Sequence, residues 1–438
     1  MLVAAMLLLL CAGQSSAADL LAVYRSALDN DPQLRQAQKS RQAVVEARKQ
    51  ARSNLLPQLS FSADVTRNTR DQVFDSTQFG SFGGVQRFNS HGYSLALTQP
   101  IYRHENYVGL RQASAAIHQA DAELSAAEQA LMVRIAERYF DVLAALDDLA
   151  FAQAELRALE RQLEQTRQRF EVGLIAITDV HEAQARHDLT VARKIAAQNQ
   201  VSDSREALRE FTAGDVSELS LLMAKTPLVT PEPADVEQWV ASALEHNPQL
   251  VAVRHANEVL RHAVELQRAG HYPSLDFVAS RSRAVSGGGS FGGSEIDSTT
   301  LALQLNVPIY QGGVVSSRTR EALLRYEQNR EVLEQQRRAV LRQAREAYRG
   351  VVASISQVTA LEQAVISSRS AMEAIEVGLE VGTRTTVDLL QARQALFLAQ
   401  RDYARARYDY ILNTLRLKQA AGLLSVDDLM QISRWLQR

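Results

Sequence analysis

Hydrophobic and polar positions along this chain follow two different periods, and the order in which those periods succeed one another occurs twice. In Leu59-Ser-Phe-Ser-Ala-Asp-Val65 every second residue is apolar, with Ser60, Ser62 and Asp64 on the other face. Such alternation predicts a strand with one oily side. The pattern returns at Tyr93, Leu95 and Leu97, at Leu275, Phe277 and Ala279, and at Leu301, Leu303, Leu305 and Val307. Each segment runs to about ten residues, the length at which a tilted strand crosses a bilayer. The joining stretches, Asp71 to Phe88 and Ala284 to Ser298, are rich in Gly, Ser and Asn and read as exposed hairpin loops.

Outside these segments the period is helical. From Tyr102 to Phe170 there is no proline and Gly109 is the sole glycine, so at about 1.5 Å per residue one helix on the order of 100 Å is expected. Ile135, Val142, Leu149, Leu156, Leu163 and Phe170 are spaced by seven, and Ala344, Val351, Val358, Val365, Met372 and Leu379 repeat that spacing. A sustained seven-residue period predicts coiled-coil packing. Each long helix meets a glycine, turns at 173–179 or 382–388, and returns as a second long helix ending near Gly214 or Gly422. Shorter helices, Leu20 to Asn54 and Ala234 to Gly270, precede the first strand of each set.

The two sets are copies. Asp31-Pro-Gln-Leu34 becomes Asn247-Pro-Gln-Leu250 at a displacement of 216, and Pro57 becomes Pro273 at the same displacement. Past the strands the displacement falls to 208, with Pro100-Ile-Tyr102 answering Pro308-Ile-Tyr310, so the first copy holds eight more residues between its strands. The chain divides into a leader at 1–18, a first repeat at 19–225, a linker at 226–234 and a second repeat with a C-terminal tail at 235–438.

Composition narrows the reading. Lys and Arg number 48 against 50 acidic residues, so bulk charge offers no reason to expect nucleic acid as a partner. Before Asp19, the first charged residue, the apolar run Leu2 to Cys11 leads into Ala12-Gly-Gln-Ser-Ser-Ala-Ala18, as in a secretory signal cleaved after Ala17 or Ala18, though without the usual basic n-region. Leu8-Leu9-Leu10-Cys11 is partly like a lipobox, but Leu10 is bulky where a small residue is wanted. Cleavage would remove the single cysteine, leaving no disulfide and no thiol chemistry in the mature protein.

Candidate chemistry is thin. Gly287-x-Gly289-x-x-Gly292 matches a dinucleotide fingerprint but sits in a hairpin loop with no βαβ pattern after it. His181-Glu182 opens like a zinc-protease helix, yet position 185 is Ala. His255 and His262 read as solvated polar residues two turns apart, and no Gly-x-Ser-x-Gly elbow occurs. No catalytic residue, cofactor site or metal site is expected. The two turns share Val-Gly followed by a Thr/Asp-rich helix start, in which Gly ends one helix and Thr178, Asp179 or Asp388 caps the next. Four strands cannot close a barrel in lipid, so a membrane reading requires several chains to share one.

Arg169-Phe-Glu-Val-Gly-Leu-Ile-Ala-Ile-Thr-Asp-Val180, Val381-Gly-Thr-Arg-Thr-Thr-Val-Asp-Leu389 and Val307-Pro-Ile-Tyr-Gln-Gly-Gly313 resemble the corresponding runs of the TolC family of outer-membrane efflux and secretion ducts. The resemblance covers nearly all of the expected mature chain. It implies an α+β membrane protein: a homotrimer whose four strands per chain build one twelve-stranded transmembrane β-barrel in outer-membrane lipid, continued by a long periplasmic α-helical barrel. It further implies the role of exit duct for a tripartite efflux pump or a type I secretion system. A periplasmic adaptor would dock on the tips at Gly173, Leu174, Gly382 and Thr383 and join the duct to an inner-membrane transporter.

The resemblance also implies a periplasmic gate. Arg384 would bond to Thr178 and Asp179 of the next subunit, and Asp388 would supply a ring of three carboxylates. This chain departs from the family pattern at Leu379, where a tyrosine completes the lock, and at Gln391, where a second aspartate follows the first. A looser gate and weaker cation selection are expected, because one carboxylate ring focuses less field than two. The competing readings are a passive porin, whose barrel normally lies within one chain, and a soluble coiled-coil scaffold with no pore.

Overall fold

The computed structural model describes residues 18–76, 80–212, 214, 218–224, 226–289 and 292–437. The leader expected at 1–18 therefore lies outside the described residues except for Ala18. In chain order the elements are α1 (Leu20–Asn30), α2 (Pro32–Ser53), β1 (Gln58–Ser76), β2 (Gly80–Arg103), α3 (His104–Glu171), α4 (Ile177–Thr212), β3 (Leu221–Leu222), α5 (Val236–His246), α6 (Pro248–Arg268), a 3-10 turn (Ala269–His271), β4 (Ser274–Ser286), β5 (Ser294–Asn306), α7 (Val314–Glu380), α8 (Thr386–Ala420), α9 (Val426–Ser433) and β6 (Leu436–Gln437).

Two compact units emerge, and each draws on both repeats. One takes in residues up to Lys39 together with Ala122–Val251 and Gln335–Arg438; the other is Ser40–Asp121 with Ala252–Glu334.

The second unit holds an antiparallel sheet in the order β1-β2-β4-β5. Its register places like faces together. Phe61 stands opposite Leu95, Leu59 opposite Leu97, Leu97 opposite Ala279, and Ala279 opposite Leu301. On the reverse face Ser62, Ser94, Ser282 and Ser298 form one row across all four strands, and the hydroxyls of Ser62 and Ser94 lie 2.9 Å apart. At one end Arg103 of β2 clamps Asp276 of β4 through two hydrogen bonds of 2.9 and 2.7 Å. The ladder shifts register between Pro100 and Tyr102, where proline has no N–H to donate.

The expected loops at 71–88 and 284–298 are corrected by the structure. β1 continues to Ser76 and β2 begins at Gly80, while β4 continues to Ser286 and β5 begins at Ser294. The strands thus reach 19, 24, 13 and 13 residues. Beyond the apolar band polar residues predominate and the apolar ones, such as Val73, Val85 and Ile296, are scattered, so regular alternation vanishes although the backbone ladder persists. The glycine fingerprint at 287–292 lies at the β4–β5 turn and leads into a strand, as its context predicts.

The expected helices 20–54 and 234–270 are each broken once. The break falls at Asp31 and at Asn247, the first residues of the duplicated motif. The side chain of Asp31 accepts from the Leu34 N–H at 2.8 Å, and that of Asn247 accepts from the Leu250 N–H at 3.1 Å. A capping residue followed by proline is a helix start, because proline suits the first helical position and bars the residue before it from helical geometry.

The first unit carries the main core. Leu131, Ile135, Tyr139, Phe140, Val142 and Leu143 of α3 pack with Tyr408, Ile411 and Leu415 of α8 and with Leu20 and Tyr24 of α1. The seven-spaced positions are buried at this level, with Ile135 and Ala344 at 0 % exposure, and emerge toward the turn, where Phe170 is 40 % exposed. The linker and the segment before it are tied to this core by tyrosines. Tyr139 donates to the Ser220 carbonyl at 2.8 Å, and Tyr410 both donates to the Val229 carbonyl and accepts its N–H.

Candidate functional site: the paired helical tips

The two helix–turn–helix tips belong to the first unit and are built alike. At the first, Gly173 adopts φ 78°, its N–H meets the Phe170 carbonyl at 2.9 Å, and the Leu174 N–H meets the Arg169 carbonyl at 2.9 Å. At the second, Gly382 adopts φ 79°, its N–H meets the Leu379 carbonyl at 3.2 Å, and the Thr383 N–H meets the Gly378 carbonyl at 2.8 Å. Both are glycine-terminated helix ends in which a left-handed residue lets the chain reverse while the last carbonyls stay satisfied. Val172, Leu174 and Val381 project into solvent at 70–72 % exposure.

The return helices start differently. Thr385 caps α8 and forms a reciprocal box with Asp388: the Asp388 N–H donates to Thr385 Oγ1 at 3.2 Å, and the Thr385 N–H donates to Asp388 Oδ2 at 3.0 Å. These bonds, then the nearby Arg384 guanidinium, hold the Asp388 carboxyl below the usual carboxylate range. The cap of α8 is therefore Thr385, and Asp388, expected as the cap, is its partner in the first turn. In α4, Asp179 occupies the first turn and its N–H donates to the Ala176 carbonyl at 3.1 Å. Thr178 is exposed there and Asp179 half-buried, and among the described residues they form no box of the Thr385–Asp388 kind.

Arg384 is exposed, and its stem crosses Gly378 so closely that a Cβ there would lie 2.7 Å from Arg384 Cγ. Leu379 is half-buried at the end of α7 beside Leu389, Arg169 and Val172, and Gln391 is exposed one turn beyond Asp388. The structure gathers the gate candidates of the second copy at one tip. Thr178 and Asp179 belong to the other tip of the same chain.

Sequence reading missed the bonds that hold the tips together. Arg393 of α8 donates to Glu376 of α7 at 2.7 Å, and Arg167 of α3 donates to Gln184 of α4 at 2.7 Å. Both pairs are 17 residues apart, so folding the sequence back on each glycine turn would have found them. A third bond joins the hairpins: Arg186 of α4 donates to Gln394 of α8 at 3.0 Å across 208 residues, with no local signal.

Of the rejected motifs, His181-Glu182 lies in the opening turns of α4, and His255 and His262 lie on α6. The His255 ring lies 5.4 Å from that of His118, tilted by 35°, and burial, then that second imidazole, lowers its pKa. His262 sits 3.4 Å from Glu265. Among the described residues no three side chains of ligand type are grouped to hold a metal, and no helix is long and apolar enough to cross a membrane.

The model of the outer membrane efflux protein family matches residues 23–214 and again 239–423, once for each copy. The sequence is 38 % identical over 432 residues to outer membrane protein TolC of Vibrio cholerae, covering 96 % of this chain and 94 % of that protein. It is 32 % identical over 424 residues to the alkaline protease secretion protein AprF of Pseudomonas aeruginosa, covering 96 % and 88 %. The crystal structure of the outer membrane protein VceC from Vibrio cholerae shares the fold with a TM-score of 0.78 at 18 % identity, over 92 % of this chain and 96 % of that one.

Proposed function

The chain belongs to the outer membrane efflux protein family, and on that premise we propose that three copies form an exit duct that passes substrates of an efflux pump or type I secretion system across the outer membrane. One observation carries this reading. The sheet ends in two long unpaired edges, β1 and β5, and Leu59, Phe61, Val65, Leu301, Leu303 and Leu305 stand 64–84 % exposed on its apolar face. A bare apolar face needs lipid, and bare edges in lipid need strands to pair with. Antiparallel pairing of β5 with β1 of the next chain supplies both, giving twelve strands from three chains. The apolar face then meets the membrane and the serine row faces the lumen, an arrangement that a soluble scaffold does not require.

The helices carry the lumen onward into the periplasm, and the tips form its inner end. Exposed Leu174 and Thr383, each next to its turn glycine, give the adaptor of an inner-membrane transporter a repeated surface to grip. In this reading Arg384 reaches Thr178 and Asp179 of the adjacent subunit. Three Asp388 carboxylates line the opening. Leu379 has no hydroxyl for the lock and Gln391 no charge for a second ring, so closure is looser and cation selection weaker than with both.

Cysteine pairing tests the assembly, since Cys11 is the chain's single cysteine and lies in the expected leader. Ser62→Cys on β1 is combined in turn with Ser298→Cys, Thr300→Cys or Ala302→Cys on β5. Oxidation should convert at least one combination to a covalent trimer on denaturing gels, with no trimer from any single variant. Monomers throughout would overturn the shared barrel.

A further inference from the structure

The duplication is imperfect at one buried place, and the imperfection leaves a cleft. In copy one the cap residue Asp31 is 2 % exposed and receives Arg134 Nη2 at 3.0 Å, while the Arg134 guanidinium lies over the Phe211 ring at 5.3 Å. The ion pair and the ring fill the space between α2, α3 and the last turn of α4. In copy two Asn247 stands for Asp31. By the same seven-residue register that matches Ile135 with Ala344, Gln343 stands for Arg134. The last turn of α8 offers Gln419 and Ala420 instead of a ring.

What remains there is a cleft of about 380 Å³, lined by Gln129, Gln249, Gln343, Asn413 and Gln419 with Ala347 and Gly350. Asn247 also lines it, but its carboxamide already donates to the Ala420 carbonyl at 3.0 Å and accepts from the Leu250 N–H at 3.1 Å. Gln129 is 8 % exposed; its Nε2 reaches the Gly422 carbonyl only at 3.4 Å, and its Oε1 has no hydrogen-bond partner. A buried acceptor without a donor is unfavourable, and a bound hydroxyl or amide would relieve it. The two charged residues at the rim are already paired: Arg416 with Glu137 at 2.6 Å and Glu346 with Arg342 at 3.1 Å.

We propose that this copy-two cleft is a binding site for a neutral saccharide. Carboxamides carry donors and acceptors without net charge, and a sugar hydroxyl both donates and accepts, so each hydroxyl can satisfy neighbouring amides. An ionic ligand would find no free counter-charge, and a wholly apolar one would strand the amides. The volume lies at the small end of the 300–1,000 Å³ range of ligand pockets, roughly the size for one or two sugar rings.

The test uses the full-length protein in a sugar-free zwitterionic detergent, titrated with glucose, N-acetylglucosamine and maltose and followed by saturation-transfer NMR. At least one should bind saturably at millimolar concentration, without competition from inorganic phosphate. The double substitution Asn247→Asp with Gln343→Arg rebuilds the copy-one plug and should weaken binding about tenfold or more while the melting curve is retained. Should that variant fold poorly, Asn413→Leu, at a half-exposed position, must weaken binding in its place. No saturable saccharide, or full binding by a folded plugged variant, would overturn the proposal.

Discussion

The Tyr408 hydroxyl donates to Asp147 Oδ2 at 2.6 Å, joining α8 to α3 across 261 residues of sequence, while the Tyr408 ring stacks on Phe140 at 5.5 Å. Burial raises the pKa of Asp147 and that of Tyr408. The bond therefore compensates a carboxylate that is poorly hydrated. Tyr408→Phe keeps the ring and removes the donor, and should cost roughly 1–3 kcal/mol. Thermal unfolding followed by circular dichroism checks this, and an unchanged midpoint would show the bond to be energetically neutral.

A neighbouring carboxylate gives a pH dependence of definite sign. Burial is the largest influence on Asp148 and raises its pKa, against the lowering effect of Arg401 and Arg405. A raised folded-state value means that the native chain holds this proton more tightly than the unfolded chain does. The associated stability is present below the ordinary carboxylate range and is lost as pH rises through the folded value. Asp148→Asn should thus raise the melting midpoint at neutral pH relative to wild type, and the difference should shrink below about pH 4. A difference that stays constant with pH would refute the linkage.

At the tips, backbone conformation should dominate. A Cβ at Gly173 or Gly382 meets nothing within 4 Å, so alanine there suffers only the left-handed φ. Gly173→Ala and Gly382→Ala should each destabilise their turn by roughly 1–2 kcal/mol, and the asparagine variants by less. Amide hydrogen exchange should quicken at residues 169–177 or 378–386 while the core around Tyr139 is unaffected.

Electrical measurements test the gate. Asp388→Asn should abolish most cation selectivity in planar bilayers, and Gln391→Asp should increase it by adding a second ring. Because Asp388 titrates below the usual carboxylate range, wild-type selectivity should persist as the bath is acidified to about pH 4 and fade below it. An unmoved reversal potential in Asp388→Asn would remove the ring assignment. Arg384→Glu should raise conductance by replacing an attraction to Asp179 with a repulsion.

The hairpin link has its own signature. Arg186→Ala and Gln394→Ala should each increase conductance to a similar degree, and the double variant should do no more than either, as expected when two residues share one bond. Additive effects would mean that the 3.0 Å bond does not restrain the tips.

Much of this architecture is written in local periods. Two-residue alternation marks Leu59 to Val65 as a one-sided strand, seven-residue spacing marks Ile135 to Phe170 as a coiled-coil helix, and glycine followed by Thr and Asp marks both turns. The sequence by itself determined these because each depends on backbone preference and side-chain direction within a few residues. It also determined the two helix starts at Asp31 and Asn247, although reading by hydrophobicity alone passed over them. Tertiary structure alone decided where the strands stop, since the ladder from Arg67 to Ser76 is held by the backbone of β2 and not by an apolar face. It alone decided that Arg186 meets Gln394, that Tyr408 meets Asp147, and that copy two keeps open the space that Arg134 fills in copy one. Those outcomes rest on groups brought together from distant parts of the chain, and no periodicity encodes a contact whose partners fold into place independently.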